Sequence, residues 1–277
     1  MKFALIGHPL GHSASPFIHE KLFKLNGIDA SYVCHEVTPD TLDVKSIMRE
    51  FDGINVTIPH KTAVIPALNR LCGKAEYLKT VNTIKKQDGG LFGYNTDADG
   101  FLKSLELSNI TLSGRVLICG AGGTSRMFAT LAAKHGCDVS IAVRPHGIDK
   151  AYALKSDIMN DFGAKINIFE NDKVNGEFDL LLNGTPSGMY PKNIGTLPVS
   201  KNVISNCKAV FDAVYNPRMT ELINTAKANG AKIAYGLPML VYQAAKAQQI
   251  WLDVGFDDNE MKSVIFDTEE YILTKFK

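Results

Sequence analysis

The chain has 277 residues, of which 45% are hydrophobic and 21% charged, and its formal net charge is +1. This is the composition of a soluble globular protein, long enough for one large domain or two medium ones. The near-neutral charge without Lys/Arg clusters argues against nucleic acid as a partner. No apolar run approaches the roughly 18 residues that a membrane span needs. The five cysteines form no CxxC pair and no secretion signal precedes them, so we expect reduced thiols and a cytoplasmic protein.

Short β-rich runs alternate with helical stretches in residues 1–100. The predicted strands are Lys2–Gly7, Tyr32–Val37 and Gly53–Ile58, followed by a hairpin of Thr83–Gln87 and Leu91–Tyr94 turned at Asp88-Gly89-Gly90. A helix is predicted over Pro16–Asn26, because Pro16 suits its first position and Gly27 stands just past its end. The order of these elements indicates an α/β domain.

A second alternation begins near Arg115 and has the order of a doubly wound sheet. RVLIC predicts a buried strand, GAGGTSR a glycine-rich turn, and Met127–His135 a helix. Further strands are predicted over Asp138–Arg144, Lys165–Phe169, Asp179–Asn183, Ala209–Val214 and Lys232–Tyr235. The tail from Leu237 is helical, with a break at Gly255. Two α/β domains follow, with a boundary near residue 101.

The GAGGTSR segment predicts a dinucleotide site because it follows a strand and opens a helix. Gly120 permits a tight turn, and Gly122 lets the backbone approach a pyrophosphate held by helix N–H groups. Ser125 stands where the third glycine of the usual motif would be. A glycine-rich turn without a ligand is the alternative, and the context favours dinucleotide binding.

The end of the following strand indicates which dinucleotide is bound. An acidic residue there would accept hydrogen bonds from a ribose 2′-hydroxyl, but the chain has Ala142-Val143-Arg144. Arg144 is suited to a 2′-phosphate, and Lys150 could add a second charge. The alternative is a solvated strand-end arginine. We therefore predict NADP, with NAD as a second option.

Several polar residues in the other half of the chain have both an ordinary and a functional interpretation. Ser13 and Ser15 precede Pro16, where Ser15 could cap the helix or both hydroxyls could receive a carboxylate. Asp97, in GYNTDADG, could also be an N-cap. Lys61, the last residue of NVTIPHK, follows a predicted strand that ends at Ile58 and could be a solvated surface cation. Gln243 lies on an apolar helix face and needs a partner if buried, either backbone or a bound hydroxyl.

No metal site is predicted. His8 and His12 are four residues apart, but Pro9 and Gly11 lie between them and exclude a helical metal-binding pair.

Eight segments in the same order resemble the shikimate dehydrogenase family over nearly the whole chain. They are HSASP (12–16), NVTIPHK (55–61), TVNT (80–83), GYNTDADG (93–100), GAGGTSR (120–126), NGTPSGM (183–189), DAVYNP (212–217) and GLPMLVYQAA (236–245). The resemblance implies reversible NADP(H)-dependent reduction of 3-dehydroshikimate to shikimate, in the biosynthesis of chorismate and aromatic amino acids. It implies an α/β substrate domain of residues 1–100 and 237–277, with the C-terminal helices packed back on it. Residues 101–236 would form a Rossmann-like dinucleotide domain, with the active site in a cleft between the two that closes on the substrate.

The resemblance also implies roles for individual residues. Lys61 and Asp97 match the catalytic pair, and whether Lys61 carries the proton or orients the substrate as a cation is left open. The positions matching substrate contacts are Ser13, Ser15, Thr57, Asn82, Tyr215 and Gln243. The positions matching cofactor contacts are Gly120, Ala121, Gly122, Gly123, Thr124, Arg144, Lys150, Thr185, Pro186, Ser187, Met189, Gly236 and Met239.

Two departures from the family pattern define the alternatives. Val143 and Pro145 flank Arg144 where the family often has Asn and Thr, and two residues are inserted before Lys150. The departure at Val143 and Pro145 favours, as a second reading, a quinate/shikimate dehydrogenase with relaxed substrate or NAD/NADP preference. An alternative of another class is a non-catalytic paralogue that senses such ligands, although Lys61 and Asp97 are both present. The expected partners are small molecules, and the protein is expected to be a monomer or homodimer.

Overall fold

The computed structural model describes residues 1–11 and 13–275. His12 lies outside the described residues, and so does the prediction that His8 and His12 form no helical metal-binding pair. The chain divides into two compact units, which are Met1–Gly100 with Leu240–Lys277 (unit 1) and Phe101–Met239 (unit 2). Each unit contains a six-stranded sheet.

Strands and helices alternate along both units. The strands are β1 (Lys2–Gly7), β2 (Ser31–Glu36), β3 (Gly53–Val56), β4 (Arg70–Leu71), β5 (Thr83–Gln87), β6 (Gly90–Tyr94), β7 (Arg115–Cys119), β8 (Asp138–Val143), β9 (Ile166–Glu170), β10 (Phe178–Asn183), β11 (Cys207–Asp212) and β12 (Lys232–Tyr235). The helices are α1 (Ser15–Leu25), α2 (Val44–Glu50), α3 (Lys74–Leu78), α4 (Asp97–Leu107), α5 (Gly123–Lys134), α6 (Ile148–Phe162), α7 (Lys201–Ser205), α8 (Glu221–Ala228), α9 (Gly236–Leu252) and α10 (Asp258–Lys275). In the described part of the chain, no helix is both long and apolar enough to cross a bilayer.

The sheet of unit 1 has the strand order β2-β1-β3-β5-β6-β4 and is mixed. β1 pairs in parallel with β2 and β3, whereas β5 runs antiparallel to both β3 and β6. The carboxyl ends of β1, β3 and β6 and the start of β5 therefore lie at one edge. We call it the carboxyl edge of unit 1.

The two C-terminal helices pack on unit 1. Ala247 and Trp251 of α9 share a buried cluster with Phe3 and Tyr32, and the indole Nε1 of Trp251 donates a 2.9 Å hydrogen bond to the carbonyl oxygen of Ile84. Lys21 of α1 forms a 2.8 Å ion pair with Asp267 of α10. These contacts confirm that the tail packs back on the first part of the chain.

The sheet of unit 2 is parallel throughout, in the order β12-β11-β10-β7-β8-β9. Its central strands read as apolar runs because helices cover them, and Leu117, Leu181 and Val210 are fully buried. The strand order reverses between β7 and β10, so a topological switch point lies at their carboxyl ends. The predicted doubly wound architecture is confirmed.

Three predicted boundaries move for local reasons. The second half of the glycine-rich segment is the first turn of α5, which begins at Gly123 and not at Met127. β3 ends at Val56, because the chain turns after it and the N–H of His60 donates to the carbonyl oxygen of Thr57. β11 ends at Asp212 and not at Val214, because the N–H of Val214 bonds the Asp212 carboxylate and leaves the ladder.

Candidate functional site

The carboxyl edge of unit 1 brings Lys61, Asn82 and Asp97 into contact. Lys61 lies in the turn after β3, Asn82 immediately precedes β5, and Asp97 opens α4 after β6. The Nζ atom of Lys61 lies 2.5 Å from Oδ2 of Asp97, and Nδ2 of Asn82 donates to the other oxygen, Oδ1, at 2.9 Å. The Lys61 and Asp97 side chains are 28% and 18% exposed. A partly buried cation and carboxylate thus meet within reach of a small molecule.

All polar atoms of the Asn82 side chain are engaged within unit 1. Nδ2 also donates to the hydroxyl of Thr96 at 3.0 Å. Oδ1 accepts from the Thr96 N–H at 2.7 Å and from the Thr83 hydroxyl at 3.0 Å. The amide therefore holds Asp97 in place, a contact that the sequence did not reveal. The predicted substrate contact of Asn82 stays a prediction.

The polar network continues from Asn82 into the core of unit 1. Asn55 donates through Nδ2 to the backbone oxygen of Asn82 and to the Thr83 hydroxyl, both at 3.0 Å. The hydroxyl of Tyr32 donates to Oδ1 of Asn55 at 2.7 Å. Burial raises the pKa of Tyr32 well above its usual value, so the phenol remains a neutral donor. Satisfied networks of this kind rigidify the groups at their end, here Asp97.

The capping interpretation of Asp97 is wrong. Asp97 is already the first helical residue of α4, and the side-chain oxygen of Asn95 accepts the Ala98 N–H instead. Asn95 accepts the helix N–H, and the two oxygens of Asp97 bond Lys61 and Asn82 instead.

The capping interpretation of Ser15 is wrong as well. Ala14 is the N-cap of α1, and Ser15 lies inside the helix, where its N–H donates to the Ser13 hydroxyl oxygen at 3.2 Å. Neither serine hydroxyl donates a hydrogen bond within the part of the chain that the structure describes. Two hydroxyl donors at the start of an 11-residue helix are therefore available to an external acceptor.

Thr57 directly follows β3 at the same edge. Its N–H donates to the carbonyl oxygen of Ile6 at 2.8 Å, which ties it to the end of β1. A Cβ at Gly7 would lie 2.4 Å from Cγ2 of Thr57, so a glycine is required where the two strand ends approach. The Thr57 side chain stays partly exposed.

Gln243 of α9 is 8% exposed, and Nε2 donates to the carbonyl oxygen of Leu240 one turn earlier at 2.9 Å. The buried amide thus has a backbone partner, one of the two options that the sequence left open.

In unit 2 the predicted glycine-rich segment forms the turn between β7 and α5. Gly120 has φ of +96°, a conformation that strains other residues. Gly122 is the N-cap of α5 without a side-chain cap, and a Cβ at Gly122 or Gly123 would meet nothing within 4 Å. The first-turn N–H groups of Gly123 and Thr124 have no carbonyl partner within the helix, and Gly122 and Gly123 are exposed beside Ala121, as an anion site requires.

Ser125 fits the position of the third glycine because another glycine makes room for it. Its hydroxyl donates to the carbonyl oxygen of Cys119 at 2.9 Å, and the side chain is fully buried. A Cβ at Gly184, which follows β10, would lie 2.4 Å from this hydroxyl oxygen. The sequence departure is thus compensated locally.

Arg144 follows β8, which lies beside β7 in the parallel sheet. The N–H of Gly120 donates to the carbonyl oxygen of Ala142 at 2.8 Å, so the glycine turn is joined to the end of β8. Arg144 is exposed and has no acidic partner among the described residues. Lys150 lies in the first turn of α6 and is exposed as well. Arg144 thus belongs to the same sheet edge as the anion site.

The remaining predicted cofactor residues follow the ends of β10 and β12. Thr185, Pro186, Ser187 and Met189 form the loop after β10, and its threonine methyl group approaches Gly120, where a Cβ would lie 2.8 Å away. Gly236 opens α9, and a Cβ there would lie 2.2 Å from the carbonyl oxygen of Ala213, while Met239 follows in the same helix. Tyr215 follows β11, and burial raises its pKa. Unlike the other predicted substrate contacts, Tyr215 belongs to unit 2.

Comparisons with known proteins agree on one family. Residues 5–84 match the family model described as the shikimate dehydrogenase substrate binding domain. A protein named shikimate dehydrogenase (NADP(+)) from Caldanaerobacter subterraneus subsp. tengcongensis is 39% identical over 262 residues, which cover 92% of each chain.

Two solved structures show the same relation. One is shikimate 5-dehydrogenase from Thermus thermophilus in complex with NADP(H) and shikimate, with a TM-score of 0.84 and 32% identity over 97% of this chain and 99% of that one. The other is the Listeria monocytogenes enzyme in complex with shikimate and NAD, with a TM-score of 0.83 and 29% identity over 96% of each chain.

Proposed function

The chain belongs to the shikimate dehydrogenase family, and we propose that it interconverts 3-dehydroshikimate and shikimate with Lys61 and Asp97 as its catalytic pair. It is an NADP-dependent oxidoreductase that acts on a CH–OH group. The observation that carries the residue assignment is the 2.5 Å contact between Lys61 and Asp97, with Asp97 held from its other side by Asn82.

The residues of unit 2 fit a dinucleotide. An uncapped helix N-terminus, glycines with open space above them and an arginine at the end of the neighbouring strand together match a pyrophosphate and a 2′-phosphate. When bound, NADPH supplies the hydride that reduces the ketone carbon. We assign dinucleotide binding to residues 101–236, and substrate binding to residues 1–100 with 237–277.

Lys61 would hold a proton on Nζ and release it to the ketone oxygen as that oxygen becomes a hydroxyl. In the oxidation of shikimate the same nitrogen would take the proton back. Asp97 keeps the ammonium group oriented, and it offers carboxylate oxygens to a neighbouring substrate hydroxyl. Because Asn82 fixes Asp97 and is itself held by Thr96 and Thr83, neither catalytic group has to reorganise during the reaction.

Ser13 and Ser15 would bind the substrate carboxylate. Their hydroxyls have no acceptor within the described chain, and the N-terminus of α1 adds a favourable partial charge. Thr57 and Gln243 would contact the ring hydroxyls, and Tyr215 is a further proposed substrate contact. A pocket of this kind rejects analogues that leave its polar groups unpaired, at about 1–3 kcal/mol for each group.

The test is reduction of NADP and NAD by the purified chain with shikimate, followed at 340 nm for the wild type, Lys61→Ala and Lys61→Arg. We expect NADP-dependent turnover that falls by about a hundredfold or more in Lys61→Ala. Lys61→Arg should fall as far, because a guanidinium keeps its charge but does not release its proton. An active Lys61→Arg would make the lysine an orienting cation.

Lys74→Ala is the matched control. Lys74 pairs with Asp99 at 2.6 Å with similar side-chain exposure, close along the chain to Asp97. Its loss should leave turnover within about twofold, since Lys74 is bonded to Asp99 and not to the proposed catalytic pair. Wild-type protein that binds shikimate but reduces neither cofactor would contradict the proposed enzyme and favour a ligand sensor.

A further inference from the structure

A buried carboxylate without an assigned role lies at the carboxyl end of β11. Asp212 is 0% exposed and accepts three hydrogen bonds. Oδ1 accepts from Nδ2 of Asn183 at 2.9 Å and from the Val214 N–H at 3.0 Å, and Oδ2 accepts from the Thr220 hydroxyl at 2.6 Å. Its partners among the described residues are three neutral donors, so the charge is solvated by fixed protein dipoles. Burial of a charge is costly, and an asparagine could fill the same space.

Asn183 connects this carboxylate to the loop after β10. Asn183 and Asp212 are register partners at the ends of adjacent parallel strands. Nδ2 of Asn183 donates to Asp212 and, at 3.4 Å, to the carbonyl oxygen of Ser187 in the loop. Its Oδ1 accepts from the N–H of Thr185 at 3.0 Å and from the Thr185 hydroxyl at 2.7 Å. The Thr185 hydroxyl oxygen in turn accepts from the Ser187 N–H at 3.2 Å. The Asp212 carboxylate thus orients the amide that shapes the loop.

Thr220 connects the same carboxylate to the other side of the loop. Its hydroxyl oxygen accepts from the Ile223 N–H and caps α8. A Cβ at Gly188 would lie 3.0 Å from Cβ of Thr220, so the loop backbone packs against this threonine. Asp212 therefore orients both the amide that bonds the loop and the side chain that the loop packs against.

We propose that Asp212 is a positioning residue that holds the Thr185–Met189 loop, through Asn183 and Thr220, in the shape that receives the nicotinamide ring. This inference rests on the proposed function, in which that loop runs beside the nicotinamide. The loop also lies at the β7/β10 switch point, where ligands of doubly wound sheets bind. The carboxylate acts through the loop and does not touch the cofactor.

The direct test is hydrogen exchange of the full chain without ligand, measured by mass spectrometry for the wild type and Asp212→Asn. The asparagine keeps the shape and removes the charge. Peptides that contain the Thr185 and Ser187 amides should exchange at least about tenfold faster in the variant, while the β7 and β8 peptides stay unchanged. Ser140→Ala, a buried polar residue of β8 without a bond to the loop, is the matched control. Unchanged loop exchange, or faster exchange throughout unit 2, would overturn the proposal.

Kinetics of the same variants separate positioning from folding. In Asp212→Asn we expect kcat/KM for NADP to fall about tenfold or more, with the affinity for shikimate, measured by equilibrium binding, unchanged. Loss of shikimate affinity would indicate general damage and contradict the positioning role, and so would unchanged kinetics. If the wild type shows no turnover, the proposed function fails, whereas the exchange experiment still decides whether Asp212 fixes the loop.

Discussion

Asn82 and Asp97 are joined by a 2.9 Å hydrogen bond in which the amide donates, and the remaining polar capacity of Asn82 is used by Thr96 and Thr83. The amide is thus committed to holding the carboxylate before any ligand arrives. Asn82 could act by positioning Asp97 or by contacting the substrate directly, and kinetics can separate these two roles.

Asn82→Ala is expected to lower kcat by about tenfold to a hundredfold, because hydrogen bonds to charged groups contribute about 1.5–3 kcal/mol. KM for shikimate should change less, since the residue acts through Asp97. Steady-state kinetics at saturating NADP measures both constants. Asn69→Ala is the control, because its amide also bonds a backbone N–H (Leu91, 2.8 Å) but precedes β4, at the opposite edge of the same sheet. A raised KM with unchanged kcat would instead make Asn82 a direct substrate contact.

Ser13→Ala and Ser15→Ala are each expected to raise KM for shikimate about tenfold, with a smaller effect on kcat. Each removes one hydroxyl donor to an anionic acceptor, which is worth about 1.5–3 kcal/mol. An analogue that lacks the carboxylate should lose this difference between wild type and variants, which separates carboxylate binding from general damage. Ser46→Ala on α2 serves as the control. Equal effects on both ligands would contradict the assignment.

Arg144→Gln is expected to raise KM for NADP by about tenfold or more and leave KM for NAD within about twofold. The arginine would pair with the 2′-phosphate, which NAD does not have. Lys165→Gln is the control, because Lys165 precedes β9 and therefore lies at the amino edge of the same parallel sheet. If both cofactors are affected alike, Arg144 does not read the 2′-phosphate, and the relaxed specificity suggested by Val143 and Pro145 gains support.

Acid should destabilise unit 1 through His19. Burial lowers the pKa of His19 from 6.5 to about 3, so the unfolded chain binds this proton more tightly than the folded one. The stability is present above pH 6.5 and is lost progressively as the pH falls towards 3, by up to about 5 kcal/mol. His19→Phe keeps the stack on Tyr32 and removes the titration. The free energy of unfolding at each pH is measured by urea titration, monitored through the fluorescence of Trp251, the single tryptophan. The same acid sensitivity in His19→Phe would refute this origin.

Asp212 should act on stability in the opposite direction. Burial raises its pKa from 3.8 to about 6, so the folded state binds this proton more tightly than the unfolded chain, and stability is lost as the pH rises from 3.8 to 6. Asp212→Asn is therefore expected to unfold at the wild-type temperature or above at pH 8, by up to about 3 kcal/mol in free energy. Calorimetry at pH 4 and pH 8 measures this. A variant that is less stable at pH 8 would show that the charge serves the fold and not the loop.

The fold was accessible from the sequence because periodicity and turn residues carry it. Nearly every strand was placed within two residues, and Lys61 and Asp97 were identified by their segments. The helix caps were not identified correctly, because several side chains near each helix start could cap it and the sequence does not fix the residue at which the helix begins. Asn95 replaced Asp97 in that role, and Ser13 bonded the Ser15 N–H.

The buried polar partners were the other omission. Asn55 stands in an otherwise apolar strand, and Asp212 ends one. Each residue indicated a buried hydrogen-bond network, since a polar side chain in a buried strand needs partners. Those partners, Tyr32, Thr83, Asn183 and Thr220, come from other segments, and only the register of the sheets brings them together.

Unit 1 is assembled from two stretches of chain that are separated by all of unit 2. During synthesis, residues 101–239 can complete their sheet while residues 1–100 still lack Ala247 and Trp251, which cover Phe3 and Tyr32. The apolar face of residues 1–100 around Phe3 and Tyr32 therefore stays uncovered until α9 and α10 have left the ribosome. A nascent or prematurely ended chain would expose this surface to chaperones or to other unfinished copies.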